Sequence, residues 1–251
     1  MKYLAAVQAR FGSTRLPGKI LMELAKKPVL TRVVQRVEKS RYINETIVLT
    51  SVNSDDIKTV NLVSGMGRRV IAGSPDDVLD RYYQAAKLLK PEYIVRITAD
   101  CPVFDATLLD DAIEQMTGNE DYVSAVSETL ADGLDFEIVK AEALALAWEN
   151  AKMASEREHV TLYIKNHADS FRIKDYLCPF GNLNGRRWTL DEPEDYELLK
   201  SIYAHFGDVD FGTKELLAYL NEHPQLEQVN AAIGRNEGLQ KSLQNDYKVE
   251  E

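Results

Sequence analysis

Along the first half of the chain, short β-rich apolar runs alternate with longer segments in which apolar residues recur every three or four positions. That alternation predicts strands and crossover helices in turn, the pattern of a largely parallel sheet. "YLAAVQ" (3–8) reads as a first, buried strand. "PVLTRVVQRVEKS" (28–40) predicts a helix with Pro28 at its first position, because Val29, Val33, Val34 and Val37 recur at helical spacing. "ETIVLTS" (45–51) is the second strand, and Ser54 with the two aspartates behind it is expected to cap the next helix. "RRVIAG" (68–73) and "YIVRIT" (93–98) are further strands, with helices over 76–90 and 106–116.

The series holds to about residue 126 and then loosens. "DYVSAV" (121–126) predicts a strand, "DGLDFEIV" (132–139) a loop entering another, and 141–167 two consecutive helices broken near Ser155. "FRIKDYL" (171–177) and "RRWTL" (186–190) read as later strands, followed by a helix from Pro193 to about Phe206. No internal repeat and no linker rich in Gly, Ser or Pro divides the chain. The expectation is a single α/β domain over 1–206, a mainly parallel sheet flanked by helices. A helical appendage follows over 207–251, its last dozen residues partly disordered.

At 251 residues, 45% hydrophobic and 28% charged, the composition is that of a soluble globular protein. The formal charge of -10 argues against a nucleic-acid partner, which needs a broad basic surface. No run of about 18 apolar residues offers a membrane span, and "MKYLAAVQAR" meets charge too early for a signal peptide, so a cytoplasmic location is expected. Cys101 and Cys178 fit a reducing compartment and cannot by themselves form a zinc site.

Against this acidic background, "QARFGSTRLPGK" (8–19) gathers Arg10, Arg15 and Lys19 with Gly12, Gly18 and Ser13 directly after the first strand. Ligands of parallel sheets sit at the carboxyl ends of strands, so the loop lies on the functional side. Cations and permissive backbone there suit an anion wrapped by amides, although a solvated surface turn explains the same residues. The Walker pattern is excluded: five residues separate Gly12 from Gly18 and Ile20 follows Lys19. The dinucleotide fingerprint G-x-G-x-x-G is absent as well. Asp100 in "TADCP" follows the strand 93–98 and brings a carboxylate to the same edge, where Mg²⁺ would bridge phosphates; a turn-capping aspartate is the alternative.

Six stretches then resemble one family. "QARFGSTRLPGKIL", "GSPDDVLDRYYQAAK" (73–87), "VRITADCP" (95–102), "DGLDFE" (132–137), "EREHVT" (156–161) and "RWTLDEPEDYELL" (187–199) occur in order over about residues 1–206. Together they resemble the cytidylyltransferases that make CMP-activated acidic sugars, most closely the spore coat polysaccharide biosynthesis protein F group. The resemblance implies a Rossmann-like nucleotide-diphospho-sugar transferase fold and a first loop that wraps the triphosphate of CTP. On that basis Gln8, Ala9, Arg10, Gly12, Ser13, Arg15 and Lys19 are expected at the nucleotide, with Ser74, Asp77 and Arg81 toward the nucleoside, although an ordinary capped helix accounts for the 73–87 stretch equally well. It further implies Asp191 as the partner of Asp100 on Mg²⁺, and Asp135, Glu156, Arg157 and His159 facing the acceptor; a plain helix cap also accounts for Glu156.

The reaction so implied is attack of an acceptor oxygen on the α-phosphorus of CTP with release of pyrophosphate, for surface polysaccharide or glycan synthesis. Arg10, Arg15, Lys19 and Asp100 are the catalytic candidates, the acceptor a small acidic or sugar substrate, and the expected assembly a homodimer. Two other readings stay open. One is a same-fold transferase using another nucleotide or a nucleotide sugar, as a glycosyltransferase would, although "ADCP" has a single aspartate where an Asp-x-Asp motif is usual. The other is a non-catalytic nucleotide-binding scaffold.

Overall fold

The computed structural model describes residues 1–13, 15–126, 129–235 and 237–249; Thr14 of the first loop and the last two residues lie outside the described residues. In chain order its elements begin with β1 (Tyr3–Gln8), the two-residue strands β2 (Glu23–Leu24) and β3 (Lys27–Pro28), and α1 (Val29–Val37). There follow β4 (Ile43–Ser51), α2 (Ile57–Gly65), β5 (Arg69–Gly73), α3 (Val78–Leu89), β6 (Tyr93–Thr98) and α4 (Ala106–Glu114). The later half holds β7 (Tyr122–Ser124), β8 (Glu137–Lys140), α5 (Ala141–Asn150), α6 (Ala154–Glu158), α7 (Leu162–Asn166) and β9 (Ile173–Asp175). The helices α8 (Pro193–Phe206), α9 (Thr213–Glu222) and α10 (Glu237–Gln244) complete it.

Seven strands form one sheet in the order β5-β4-β1-β6-β8-β7-β9. The pairs β1–β4, β1–β6 and β4–β5 are parallel, as the βα alternation predicts, while β8 runs antiparallel between β6 and β7. Successive side chains of a strand point to opposite faces, and β1 shows the result. Tyr3, Ala5 and Val7 enter one hydrophobic cluster with α1, α4, α8 and α9, whereas Leu4 and Ala6 enter the other with α3, α5 and α7. The chain therefore changes face between α2 and α3, and the strand order reverses at β1 and β6. Such a switch point leaves a crevice at the carboxyl ends of the two strands. None of the helices among the described residues is long and apolar enough to cross a membrane.

Four local expectations are corrected. Pro28 is the N-cap of α1 rather than its first residue. A 3₁₀ turn over Ser54–Asp56 precedes α2, and Asp56 turns inward to accept from the Phe11 amide at 2.6 Å instead of capping the helix. The span 141–167 holds three helices, with the first break at Ala151–Met153 and Ser155 inside α6. "RRWTL" is no strand: it makes a single bridge, Arg187 with Asp132, because its amides go to loops. Trp188 N donates to Asp132 O and Leu190 N to Asp100 O, at 2.6 and 2.9 Å. Beyond α8, Phe211, Leu216 and Leu220 lie in the same cluster as β1 and α1.

One buried charge network braces the centre of the sheet. Glu137, at the start of β8 and 1% exposed, accepts from Thr161 Oγ1 at 2.7 Å and Lys165 Nζ at 2.9 Å, as well as from Arg96 and the Tyr122 hydroxyl. Burial opposes its ionisation, but Lys165 and Arg96 outweigh burial and hold the carboxyl far below the usual glutamate range. Glu137→Gln leaves two cations without their counter-charge and is expected to destabilise by about 3–5 kcal/mol, roughly 10 °C in melting temperature. A carboxyl depressed in the folded state contributes its stability above the unfolded pKa and loses it only as pH falls through the folded one. The deficit, measured by thermal melts, should accordingly be constant from pH 5 to 8; one that varies over that range contradicts this electrostatic account.

Candidate active site

The first loop leaves the sheet where β1 ends. Ala9 N still bonds Leu49 O at 2.8 Å, and beyond it Phe11 N is tied to Asp56 and Gly18 N closes on Phe11 O at 3.1 Å. Gly18 has φ +72, and a Cβ there would stand 3.1 Å from the Phe11 ring, so glycine serves both the turn and the packing. A 3₁₀ turn over Lys19–Leu21 follows, and it turns the Lys19 side chain inward. That side chain is 11% exposed.

Lys19 Nζ lies 2.7 Å from Asp100 Oδ2 and 2.6 Å from Asp191 Oδ1, so two carboxylates distant in sequence meet on one ammonium. The convergence is stitched through the backbone. Asp100 O accepts from Leu190 N at 2.9 Å and from Thr189 Oγ1 at 3.2 Å, which fixes the segment before Asp191 against the end of β6. Asp195 fixes the other side: its Oδ2 accepts from the amides of Asp191 and Glu192, both at 2.9 Å, while Arg187 grips both of its carboxylate oxygens at 2.8 Å. Pro193 at the start of α8 has no amide to satisfy, so "DEPED" is a helix start whose cap presents Asp191. Burial would lower the Lys19 ammonium and raise the Asp100 carboxyl. The pair outweighs burial at both ends, holding Lys19 above the ordinary lysine value and Asp100 down at about 2.

Arg15 joins the same group. Its guanidinium lies 3.0 Å from Asp191, 3.4 Å from Glu192 and 3.6 Å from Glu237. Opposite stand Asp132 and Asp135, presented by a turn that only glycine permits. Gly133 has φ +106, and a Cβ would come within 2.5 Å of the Trp188 backbone. Arg187 holds Asp132 at 2.7 Å and Arg235 holds Asp135 at 2.5 Å. Burial pushes the Asp135 carboxyl up to about 7 against the pull of Arg235, and raises Asp132 despite Arg187 and Arg235.

These groups wall one cavity of about 400 Å³. At its other end come Gln8, Arg81, Arg96 and His159. Gln8 Oε1, Arg81 Nε and Nη1, Arg96 Nε and His159 Nε2 are buried without a hydrogen-bond partner among the described residues. An unsatisfied buried polar atom costs about 1–3 kcal/mol, so a set of them facing one cavity marks a place for a polar ligand. Burial lowers the Arg81 and His159 pKa values, which keeps the imidazole neutral at pH 7. Cys101 also lines the wall, but burial raises its thiol well above the ordinary value, which suits inert packing.

Of the residues singled out in the sequence, the cavity brings together Gln8, Ala9, Arg10, Gly12, Ser13, Arg15 and Lys19 from the first loop. Arg81, Asp100, Asp135, His159 and Asp191 join them. Ser74, Asp77, Glu156 and Arg157 are not among its lining residues, and each has a local partner instead. Ser74 Oγ accepts from the amides of Asp76 and Asp77, and Asp77 caps α3 while pairing with Arg157 at 2.8 Å. Arg157 also donates to Trp148 O at 2.7 Å, and Glu156 accepts from Lys152 N, Met153 N and Asn166 Nδ2. The sequence reading passed over Arg187 and Asp195, although an arginine and an aspartate flanking Asp191 hint at a brace. It also passed over Arg96 and the cavity wall formed after residue 233, where a polar helix carries no recognisable pattern.

The chain is similar to known proteins over most of its length. A cytidylyltransferase family model matches residues 4–233. Over 230 residues the chain is 35% identical to the spore coat polysaccharide biosynthesis protein SpsF of Bacillus subtilis, covering 88% of this chain and 95% of that one. A solved cytidylyltransferase from Leptospira borgpetersenii serovar Hardjo-bovis superposes with a TM-score of 0.86 at 31% identity, covering 91% of this chain and 97% of that one. CMP:2-keto-3-deoxy-manno-octonic acid synthetase, solved as a complex with CTP, shares the fold at a TM-score of 0.63 and 16% identity, covering 82% and 99% of the two chains. With a match that runs from the first strand to the loop before α10, the chain belongs to the cytidylyltransferase family.

Proposed function

We propose that this cytidylyltransferase couples CTP to a hydroxyl of an acidic sugar, releasing pyrophosphate and supplying a CMP-activated sugar for surface polysaccharide or glycan assembly. The observation that carries the reading is the Lys19 ammonium shared by Asp100 and Asp191 beside Arg15. Arg10 also lines the cavity without an ion pair among the described residues, leaving positive charge free for phosphates. SpsF and the synthetase complexed with CTP support the same substrate class by similarity.

Two carboxylates converging on one point offer hard anionic oxygens, the donor set that would suit a divalent ion such as Mg²⁺. Asp100 and Asp191 would hold it. When bound, such an ion supplies Lewis acidity at the α-phosphate and lowers the pKa of the acceptor hydroxyl. The chain's own residues do the rest. The acceptor oxygen forms a bond to the α-phosphorus as the bond to pyrophosphate breaks, and Arg10, Arg15 and Lys19 offset charge on the leaving group. Gln8 and Arg81 would give the base an acceptor and donors, which match the amino group and ring acceptors of cytosine.

Pyrophosphate release measured with each of the four nucleoside triphosphates and a panel of sugar acids tests the reading. CTP is expected to support the fastest release; activity with UTP or GTP alone would point to another nucleotide, and none at all to a scaffold. Asp100→Asn should lower kcat by about 10²–10³-fold with the fold kept and only a modest fall in melting temperature, because Lys19 retains Asp191 as a partner and the backbone carbonyl of Asp100 still holds Leu190 and Thr189. A large loss of stability would assign the side chain to structure. Lys19→Met should raise KM for CTP and, with the ammonium gone, let burial raise the Asp100 carboxyl. In metal-free protein the Asp100 carboxyl, followed by NMR, should then titrate at higher pH than in the wild type, and an unmoved titration would detach Lys19 from Asp100.

A further inference from the structure

The family match ends at residue 233, yet the cavity wall does not. Gly234, Glu237, Gly238, Leu239 and Lys241 line it, placing α10 across the opening. The segment is fastened at both ends. On one side Arg235 donates to Leu130 O at 2.9 Å and pairs with Asp135, while Glu237 lies 3.6 Å from Arg15. On the other, Ser242 Oγ donates to Glu158 at 2.7 Å, Asp246 accepts from the amide and hydroxyl of Ser155, and Met153 pairs with Lys248 in an antiparallel bridge.

Within this strap the charges are unequally used. Arg235, Glu237 and Asp246 each have the partner just named. Lys241 lines the cavity and makes no ion pair among the described residues. Its place along α10 is also informative: it lies a full turn beyond Glu237, which faces Arg15 of the first loop, and one residue before Ser242, which reaches Glu158, so it stands toward the Glu158 end of the helix. In-line displacement puts the attacking oxygen opposite the leaving pyrophosphate, hence away from that loop.

We propose that residues 234–235 and 237–249 form a strap completing the acceptor side of the cavity, and that Lys241 on it binds the anionic group, carboxylate or phosphate, of the acceptor. This rests on the cytidylyl-transfer reading for the word acceptor, but the anion site is testable without turnover. Full-length protein loaded with a non-reactive CTP analogue is titrated calorimetrically with N-acetylneuraminate, 3-deoxy-manno-octulosonate and glucose 1-phosphate, with the methyl ester of N-acetylneuraminate as the uncharged control. Lys241→Met should weaken the best-bound acid about tenfold, as loss of one charge-assisted contact does. The ester and the CTP analogue should bind as before, and Lys241→Arg should restore the acid. Which probe loses affinity, a carboxylate or the phosphate, identifies the group read. The proposal is overturned if no acid binds the wild-type chain, if Lys241→Met binds every acid unchanged, or if the analogue is what it loses. Acid binding that still depends on Lys241 in a protein releasing no pyrophosphate from CTP removes the transfer reaction and leaves the anion site standing.

Discussion

One ammonium between two carboxylates organises this molecule. Asp100 ends β6, Asp191 precedes α8, and Lys19 follows the first loop, so three separate stretches of chain close on a single point. Two carboxylates that near each other repel in a medium of low dielectric, and a cation between them turns the repulsion into attraction. The backbone has to deliver them before the charges can act. Leu190 and Thr189 bind the carbonyl of Asp100, and Asp195 caps the turn carrying Asp191, so the carboxylates are positioned through the backbone, and Leu190 and Asp195 are not among the residues lining the cavity. That division leaves the reactive side chains free to exchange partners.

The same rule of compensation recurs wherever charge is buried. Arg187 fills both oxygens of Asp195, which Asn230 also contacts, and Arg96 with Lys165 answers Glu137. Those networks are complete on the carboxylate side. The cavity differs, because there the unsatisfied atoms are chiefly cationic donors: Arg81 Nε and Nη1 and Arg96 Nε have no hydrogen-bond partner among the described residues. A folded chain keeps such groups only where another partner meets them.

The sequence made the parallel half of the sheet legible because strands covered on both faces read as apolar runs and their crossover helices keep a 3.6-residue period. It made the first loop legible because cations and glycines stand out against an acidic chain. What it hid were groups whose role depends on pairing across the fold. Asp77 and Arg157 look like substrate ligands in isolation, yet they face each other at 2.8 Å between α3 and α6. "RRWTL" has the composition of a strand, but its amides are claimed by Asp132 and Asp100, and no periodicity reports that. The insertion of β8 between β6 and β7 is a long-range choice of the same kind.

An acidic protein that takes a polyanion poses an apparent conflict, and distance resolves it. The formal charge of -10 is spread over the whole chain, and at physiological salt fields from exposed charges fade beyond about 8 Å. Inside a cavity of about 400 Å³ the ligand is within contact range of only a few groups, where dielectric screening is weakest. There the carboxylates already have cationic partners, Asp100 and Asp191 in Lys19 and Arg15, Asp132 in Arg187 and Asp135 in Arg235, while Arg10, Arg81 and Lys241 make no ion pair among the described residues. Local pairing, rather than net charge, therefore decides the sign that a phosphate or a carboxylate meets.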